Sequence, residues 1–324
     1  MVQQTQIIAA IDIGSNSIHM LLAYKKRGQK LAIIKSYKKI LTLGRALDEN
    51  LNIPQNSIDR ICTTLEKMKE KAIPYRPFIA IVATHAIRVA CNKKELIEIV
   101  YKKTKLPIRI ISGEEEAYLI GKAISFHFSL QKKTFLGLDI GGGSTEIALY
   151  KDNKPLLLKS LQLGSVTLTE KFLKSDKKII TEENISKLYQ HVRTELKSTL
   201  EELKSFKTNE FIICSGVGKT LASMHYFART KRKLKNPDKY RITIYTLLYF
   251  YKRLNQTKQT KKIQARWKIN SNKAEIILAG LIVLIEITEE LKIPFWKISN
   301  YGIREGLILD LSSQRKTTFN KLMK

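Results

Sequence analysis

Two short stretches of this chain end an apolar run in a carboxylate and follow it with glycine and hydroxyl residues: IIAAIDIGSNS (Ile7–Ser17) and FLGLDIGGGSTE (Phe135–Glu146). Each reads as a buried β-strand ending at Asp12 or Asp139, breaking into a turn that carries Gly14, Ser15, Asn16 and Ser17, or Gly141, Gly142, Gly143, Ser144 and Thr145. Glycine lets a backbone approach an anion closely and aim several N–H groups at it, and a strand-end carboxylate suits a hard divalent cation held through oxygen and water. A single turn of this kind is often nothing more than a tight turn. Its recurrence implies two homologous halves that face one cleft.

The pair resembles the superfamily of acetate kinase, sugar kinases, heat-shock proteins and actin, and further stretches narrow the likeness. DIGSNSIHMLL (Asp12–Leu22) and DIGGGSTE (Asp139–Glu146) resemble the two loop signatures of the exopolyphosphatase and guanosine pentaphosphate phosphohydrolase (Ppx/GppA) family. ATHAIRVACN (Ala83–Asn92), IISGEEEAYLI (Ile110–Ile120), LQLGSVTLTEKF (Leu161–Phe172), ILAGLIVL (Ile277–Leu284) and YGIREGLI (Tyr301–Ile308) follow in the family's order, so the likeness spans about residues 7–312. It implies an α/β fold of two duplicated actin-like (ribonuclease H-like) domains flanking a central cleft, in the family's short two-domain form. The domains are expected at 1–127 and 128–324, with the last helix, about 304–312, returning to pack on the first.

The same resemblance implies release of terminal orthophosphate from inorganic polyphosphate, with guanosine pentaphosphate or tetraphosphate as alternative substrates and a non-catalytic phosphate-polymer sensor as a further reading. It assigns Glu115 as the base that activates water; the residues alone equally allow a helix capping box, Ser112-x-x-Glu115, and leave Glu114 and Glu116 as other registers. Asp12, Asp139 and Glu146 are the expected set for magnesium or manganese, with potassium as a further ion, and Glu146 also positions water. Ser15, Asn16, Ser17, Ser144 and Thr145, with the backbone of Gly14 and Gly141–Gly143, are expected to bind phosphate oxygens. Thr84 and Arg88 join them, since arginine suits bidentate phosphate contact. Arg304 either contacts phosphate or anchors the returning helix. Thr167 stands where many relatives carry arginine, and His19 where some do. The fragment Gly218-Lys219-Thr220 lacks the earlier glycine of a nucleotide-binding P-loop, because that position is Ile213.

The 324 residues are enough for two ordinary domains, and 44% hydrophobic content can supply their cores. Lys and Arg number 58 against 29 Asp and Glu, a formal +29 that points to a polyanionic partner or to a lysine-rich proteome. The charge is dispersed in clusters such as Lys25-Lys26-Arg27, Lys102-Lys103 and Lys231–Lys235, without a nucleic-acid-binding signature, and polyphosphate is the expected polyanion. Met1 to Gln6 lacks a signal-peptide pattern, and Ile276–Ile285 falls well short of the roughly 20 residues that span a bilayer, so it reads as a buried helix. Cys62, Cys91 and Cys214 have no metal-ligand spacing and suit a reducing cytoplasm. A homodimer is the expected assembly. Strands are expected at Leu31–Ser36, Phe78–Ala83, Ile108–Ile111 and Phe211–Cys214, and helices at Ser57–Ala72, Glu182–Leu203 and around Leu278.

Overall fold

A computed structural model describes residues 6–25, 30–174, 180–257 and 259–313. Lys26 and Arg27 of the first basic cluster, and residues 1–5 of the leader reading, lie outside the described residues. The chain divides into two compact units, one running up to His127 and resuming at Tyr301, the other covering Phe128–Asn300.

In the first unit the strands are β1 (Ile8–Ile13), β2 (Ser17–Lys25), β3 (Leu31–Ile40), β4 (Phe78–Ala83) and β5 (Arg109–Ile110), and the sheet order is β3-β2-β1-β4-β5. β1 pairs antiparallel with β2 and parallel with β4, so it is a central strand, and its IAAIDI run is apolar on both faces apart from Asp12. The helices are α1 (Leu43–Ala46), α2 (Gln55–Ala72), α3 (His85–Val89), α4 (Lys93–Thr104) and α5 (Gly113–Phe128). The three- and four-residue spacing of Ile58, Ile61, Cys62, Leu65 and Met68 makes α2 an amphipathic cover, and all five are buried in this unit's core.

The second unit repeats the plan. Its strands are β6 (Thr134–Ile140), β7 (Thr145–Lys151), β8 (Lys154–Leu161), β9 (Phe211–Ile213), β10 (Arg241–Thr243) and β11 (Phe295–Ile298), in the order β10-β11-β9-β6-β7-β8. As in the first sheet, an antiparallel meander of three strands continues through its first strand into parallel neighbours, here β9 and then β11. The helices are α6 (Ser165–Leu168), α7 (Glu182–Lys204), α8 (Gly216–Thr230), α9 (Ile244–Thr257), α10 (Thr260–Trp267) and α11 (Ser271–Glu290). α11 is buried continuously from Ile277 to Thr288, as its all-round apolar sequence requires. No helix among the described residues is long and apolar enough to cross a membrane.

The last helix, α12 (Ile303–Ser313), belongs to the first unit and packs on β1 and β2. It also meets α5 with almost no space between backbones. A Cβ added at Gly306 would lie 2.0 Å from the Leu119 carbonyl oxygen, so only glycine fits that position of the YGIREGLI stretch. Lys122 of α5 donates to Asp310 of α12 at 2.6 Å and closes the same contact with an ion pair.

Candidate active site

Each sheet carries one row of polar residues across its meander. In the first unit the register opposes Asp12 to His19 and His19 to Lys38, on β1, β2 and β3. In the second it opposes Asp139 to Glu146 and Glu146 to Ser160, on β6, β7 and β8. Directly paired residues share a face of the sheet, so each row is a contiguous strip beside its glycine turn. The seven-residue spacing from aspartate to partner is the same in both halves. The chemistry differs: one row sets two carboxylates side by side, the other sets a carboxylate beside an imidazole and an ammonium.

The second loop is an anion cradle built by its neighbours. The Gly141 carbonyl accepts from the N–H of Ser165 at 2.9 Å and from its hydroxyl at 3.0 Å, and the Gly142 carbonyl accepts from the N–H groups of Val166 and Thr167 at 2.9 and 3.1 Å. The LQLGSVTLTEKF stretch thus turns the loop's carbonyls toward itself. Gly164 makes the approach possible, since a Cβ there would lie 2.2 Å from the Gly143 carbonyl carbon. Among the described residues the N–H groups of Gly142 and Gly143 donate to nothing. Two expectations need correction here. The Gly141 N–H is committed to the Ser144 carbonyl at 2.8 Å, and fully buried Thr145 gives its hydroxyl proton to the Leu163 carbonyl at 2.7 Å. Neither group is a phosphate donor; both hold the turn in shape.

Beside the cradle, half-buried Asp139 faces Glu146, which is 1% exposed and accepts from the Ser160 hydroxyl at 2.8 Å. This donor set fits magnesium, which usually takes one or two carboxylates and keeps several waters. Among the described residues, no three His, Cys, Asp or Glu side chains cluster to hold a metal without such waters.

The first loop repeats the turn: the Gly14 N–H donates to the Ser17 carbonyl at 3.1 Å, as Gly141 does to Ser144, so the expectation of a phosphate donor at Gly14 is corrected in the same way. Its outer side is clamped where the chain enters α1: Leu41 and Thr42 donate to the Asn16 carbonyl, and Gly44 of α1 donates to that of Ser15. The Ser15 hydroxyl is buried and has no hydrogen-bond partner among the described residues, a costly state that an incoming oxyanion would relieve. Thr84 is a further correction: its hydroxyl donates to the Ile13 carbonyl at 3.3 Å, so this side chain braces β1 rather than reaching a ligand.

The three glutamates at the start of α5 diverge. Glu114 is exposed. Glu115 follows the cap, its N–H donating to the Ser112 hydroxyl at 3.1 Å, and its carboxylate pairs with Arg109 of β5. Glu116 is 9% exposed, and its Oε2 accepts from Arg88 at 3.1 Å, while the same Arg88 nitrogen also donates to the Ile111 carbonyl. A turn of about 100° per residue separates the two carboxylates, so one meets Arg109 of β5 and the other meets Arg88 of the ATHAIRVACN segment. His85 of that segment is largely buried; burial first, and the charge of Arg88 second, lower its pKa to about 4, so it is neutral near pH 7. His85 and Ser160 carry no local signal in the sequence. Glu116 left a trace there, as an adjacent register of the glutamate triplet.

A family model described as the Ppx/GppA phosphatase family matches residues 22–315. A Haemophilus influenzae protein named "Putative exopolyphosphatase" is 29% identical over 306 residues, which cover 94% of this chain and 91% of that protein. A Fusobacterium nucleatum protein named "Bifunctional 3-dehydroquinate synthase/phosphatase" is 31% identical over 93% of this chain, which spans 46% of that longer protein. Among solved structures, an Aquifex aeolicus Ppx/GppA family member matches at a TM-score of 0.77 and 26% identity, covering 95% of this chain and 97% of that one. An exopolyphosphatase from Cytophaga hutchinsonii matches at a TM-score of 0.85 over 95% and 98% of the two chains, a likeness of fold at 22% identity.

Proposed function

This chain belongs to the Ppx/GppA phosphatase family, and on that premise we propose that it removes terminal orthophosphate from inorganic polyphosphate. The observation that carries the reading is the second loop: two uncommitted backbone N–H groups, at Gly142 and Gly143, beside the in-register carboxylates Asp139 and Glu146. An anion cradle next to a cation-binding pair is what a phosphoanhydride needs. Magnesium held by Asp139 and Glu146 would offset negative charge on the phosphate oxygens, and Asp12 is the first unit's counterpart of Asp139 as a metal-binding carboxylate.

The protein groups then have separate tasks. Gly142, Gly143 and Ser144 bind non-bridging oxygens in the second unit, and Ser15 and Ser17 do so in the first, with Asn16 contributing its side chain. Glu116 is the base that takes a proton from the attacking water. It is preferred to Glu115 because, of the two arginine-paired carboxylates, it is the buried one, held by Arg88, whereas that of Glu115 is more exposed beside Arg109. Arg88 therefore orients the base, and its remaining N–H groups are available to phosphate.

The test is orthophosphate release measured in parallel on long polyphosphate, short polyphosphate and guanosine pentaphosphate, with magnesium and manganese varied. Long polyphosphate is expected to give the highest kcat/KM. A higher value on guanosine pentaphosphate would move the assignment to the nucleotide. No metal-dependent release from any of the three would favour a sensor.

A further inference from the structure

We propose that Arg304 is a positioning residue that acts through His19 on the hydroxyl of Ser17; the inference rests on the reading of Ser17 as a phosphate ligand. The Arg304 Nη1 lies 2.9 Å from His19 Nδ1, and His19 Nε2 lies 2.8 Å from Ser17 Oγ. A guanidinium can only donate. His19 Nδ1 therefore accepts, which fixes the imidazole as the neutral tautomer with its proton on Nε2. That proton is donated to Ser17 Oγ. With its oxygen engaged as an acceptor, the Ser17 hydroxyl directs its own proton elsewhere, and Ser17 opens β2 at the end of the Gly14–Asn16 turn.

The second unit shows what this arrangement changes. There the middle residue of the polar row is Glu146, a pure acceptor, and the Ser160 hydroxyl spends its proton on it. In the first unit the middle residue is His19, and Arg304 makes it a donor toward Ser17. The Ser17 hydroxyl, two residues along β2 from that middle residue, therefore accepts from it where the Ser160 hydroxyl donates, which leaves the Ser17 O–H for an oxyanion. Arg304 lies at the start of α12, whose seat on β1 and β2 and against α5 holds the guanidinium at the ring. The last helix thus sets a proton on the first loop.

Two measurements on the full chain test this. Long-range proton–nitrogen correlation spectra of histidine-labelled protein near pH 7.5, with His19 assigned by its loss in His19→Gln, should show the Nε2–H tautomer, and Arg304→Met should release it to a mixture. An Nδ1–H tautomer or an imidazolium in the unsubstituted protein overturns the relay, even if Arg304→Met does not fold. In the orthophosphate-release assay Ser17→Ala should raise KM for polyphosphate about tenfold, the low end for a lost hydrogen bond to a charged group. Arg304→Met should raise it comparably, and the double variant should be no worse than Ser17→Ala, with Arg304→Lys restoring part of the loss. Multiplying effects in the double variant overturn the proposal, because Arg304 would then act on its own. An unchanged KM in Ser17→Ala, with the Nε2–H tautomer still present, overturns instead the phosphate role of Ser17 on which the proposal depends.

Discussion

Neighbouring carboxylates with the same intrinsic chemistry are separated here by what each one touches. Glu115 sits at the helix start, where an acidic side chain is favoured for its own sake, and it has an arginine partner on β5. Glu116 is inside, where a carboxylate persists only with a charged or hydrogen-bonded partner, and Arg88 provides one. Glu116→Gln keeps the size and leaves Arg88 a carbonyl to bind, so it should lower kcat roughly 10²- to 10⁴-fold, the usual worth of a general base, while KM stays within about threefold. Glu115→Gln should cost less than about tenfold in kcat. The check is steady-state orthophosphate release from both variants, alongside their unfolding midpoints. A folded Glu116→Gln enzyme with near-normal kcat, or a larger loss in Glu115→Gln, returns the base to Glu115.

The strand-turn-strand repeat could be read from residues 7–17 and 135–146 because central strands announce themselves as apolar runs and glycine turns interrupt them sharply. The same held for α2, α7 and β4, whose periodicity or apolar run marks them clearly, and β4 begins and ends at the expected residues. The polar rows were hidden because register is a property of pairing: nothing in the local sequence puts Ser160 opposite Glu146 or Lys38 opposite His19. The commitments of Thr84 and Thr145 were hidden for a similar reason, since their acceptors, the Ile13 and Leu163 carbonyls, are 71 and 18 residues away in sequence. Gly306 belongs to the same class. Its need appears only when α12 lies on α5, and Gly306→Ala must push a methyl into the Leu119 carbonyl, which cannot rotate aside. Overpacking of that kind costs about 1–3 kcal/mol, occasionally more, so the unfolding midpoint should fall by several degrees. Because α12 carries Arg304 and α5 carries Glu116, activity should fall in the protein that remains folded. Thermal denaturation and an activity assay well below the midpoint check this, and an unchanged midpoint would show that the helices do not approach as described.

Across the chain, cations outnumber anions two to one, 58 against 29, so at most half of them can have an acid to themselves. Lys231, Arg232, Lys233 and Lys235 are exposed, and Lys273 at the start of α11 has its pKa lowered first by burial and then by the charges of Lys219 and Lys233. Such a potential attracts any polyanion, but a long polyphosphate gains more from it than a nucleotide does, because each further lysine it meets releases cations held along its phosphates. The expected outcome has two parts. At low ionic strength the apparent KM, expressed per chain end, should fall as polyphosphate lengthens, while kcat, set by the terminal group alone, should change little. If about three phosphates are neutralised outside the reacting end, a rise from roughly 50 to 200 mM salt should weaken the long polymer on the order of tenfold. The shortest substrates and guanosine pentaphosphate should lose less, having fewer phosphates to neutralise and so fewer counterions to release. Orthophosphate release measured over a matrix of chain length and salt decides it, and a KM indifferent to both would mean that the charge serves something other than substrate capture.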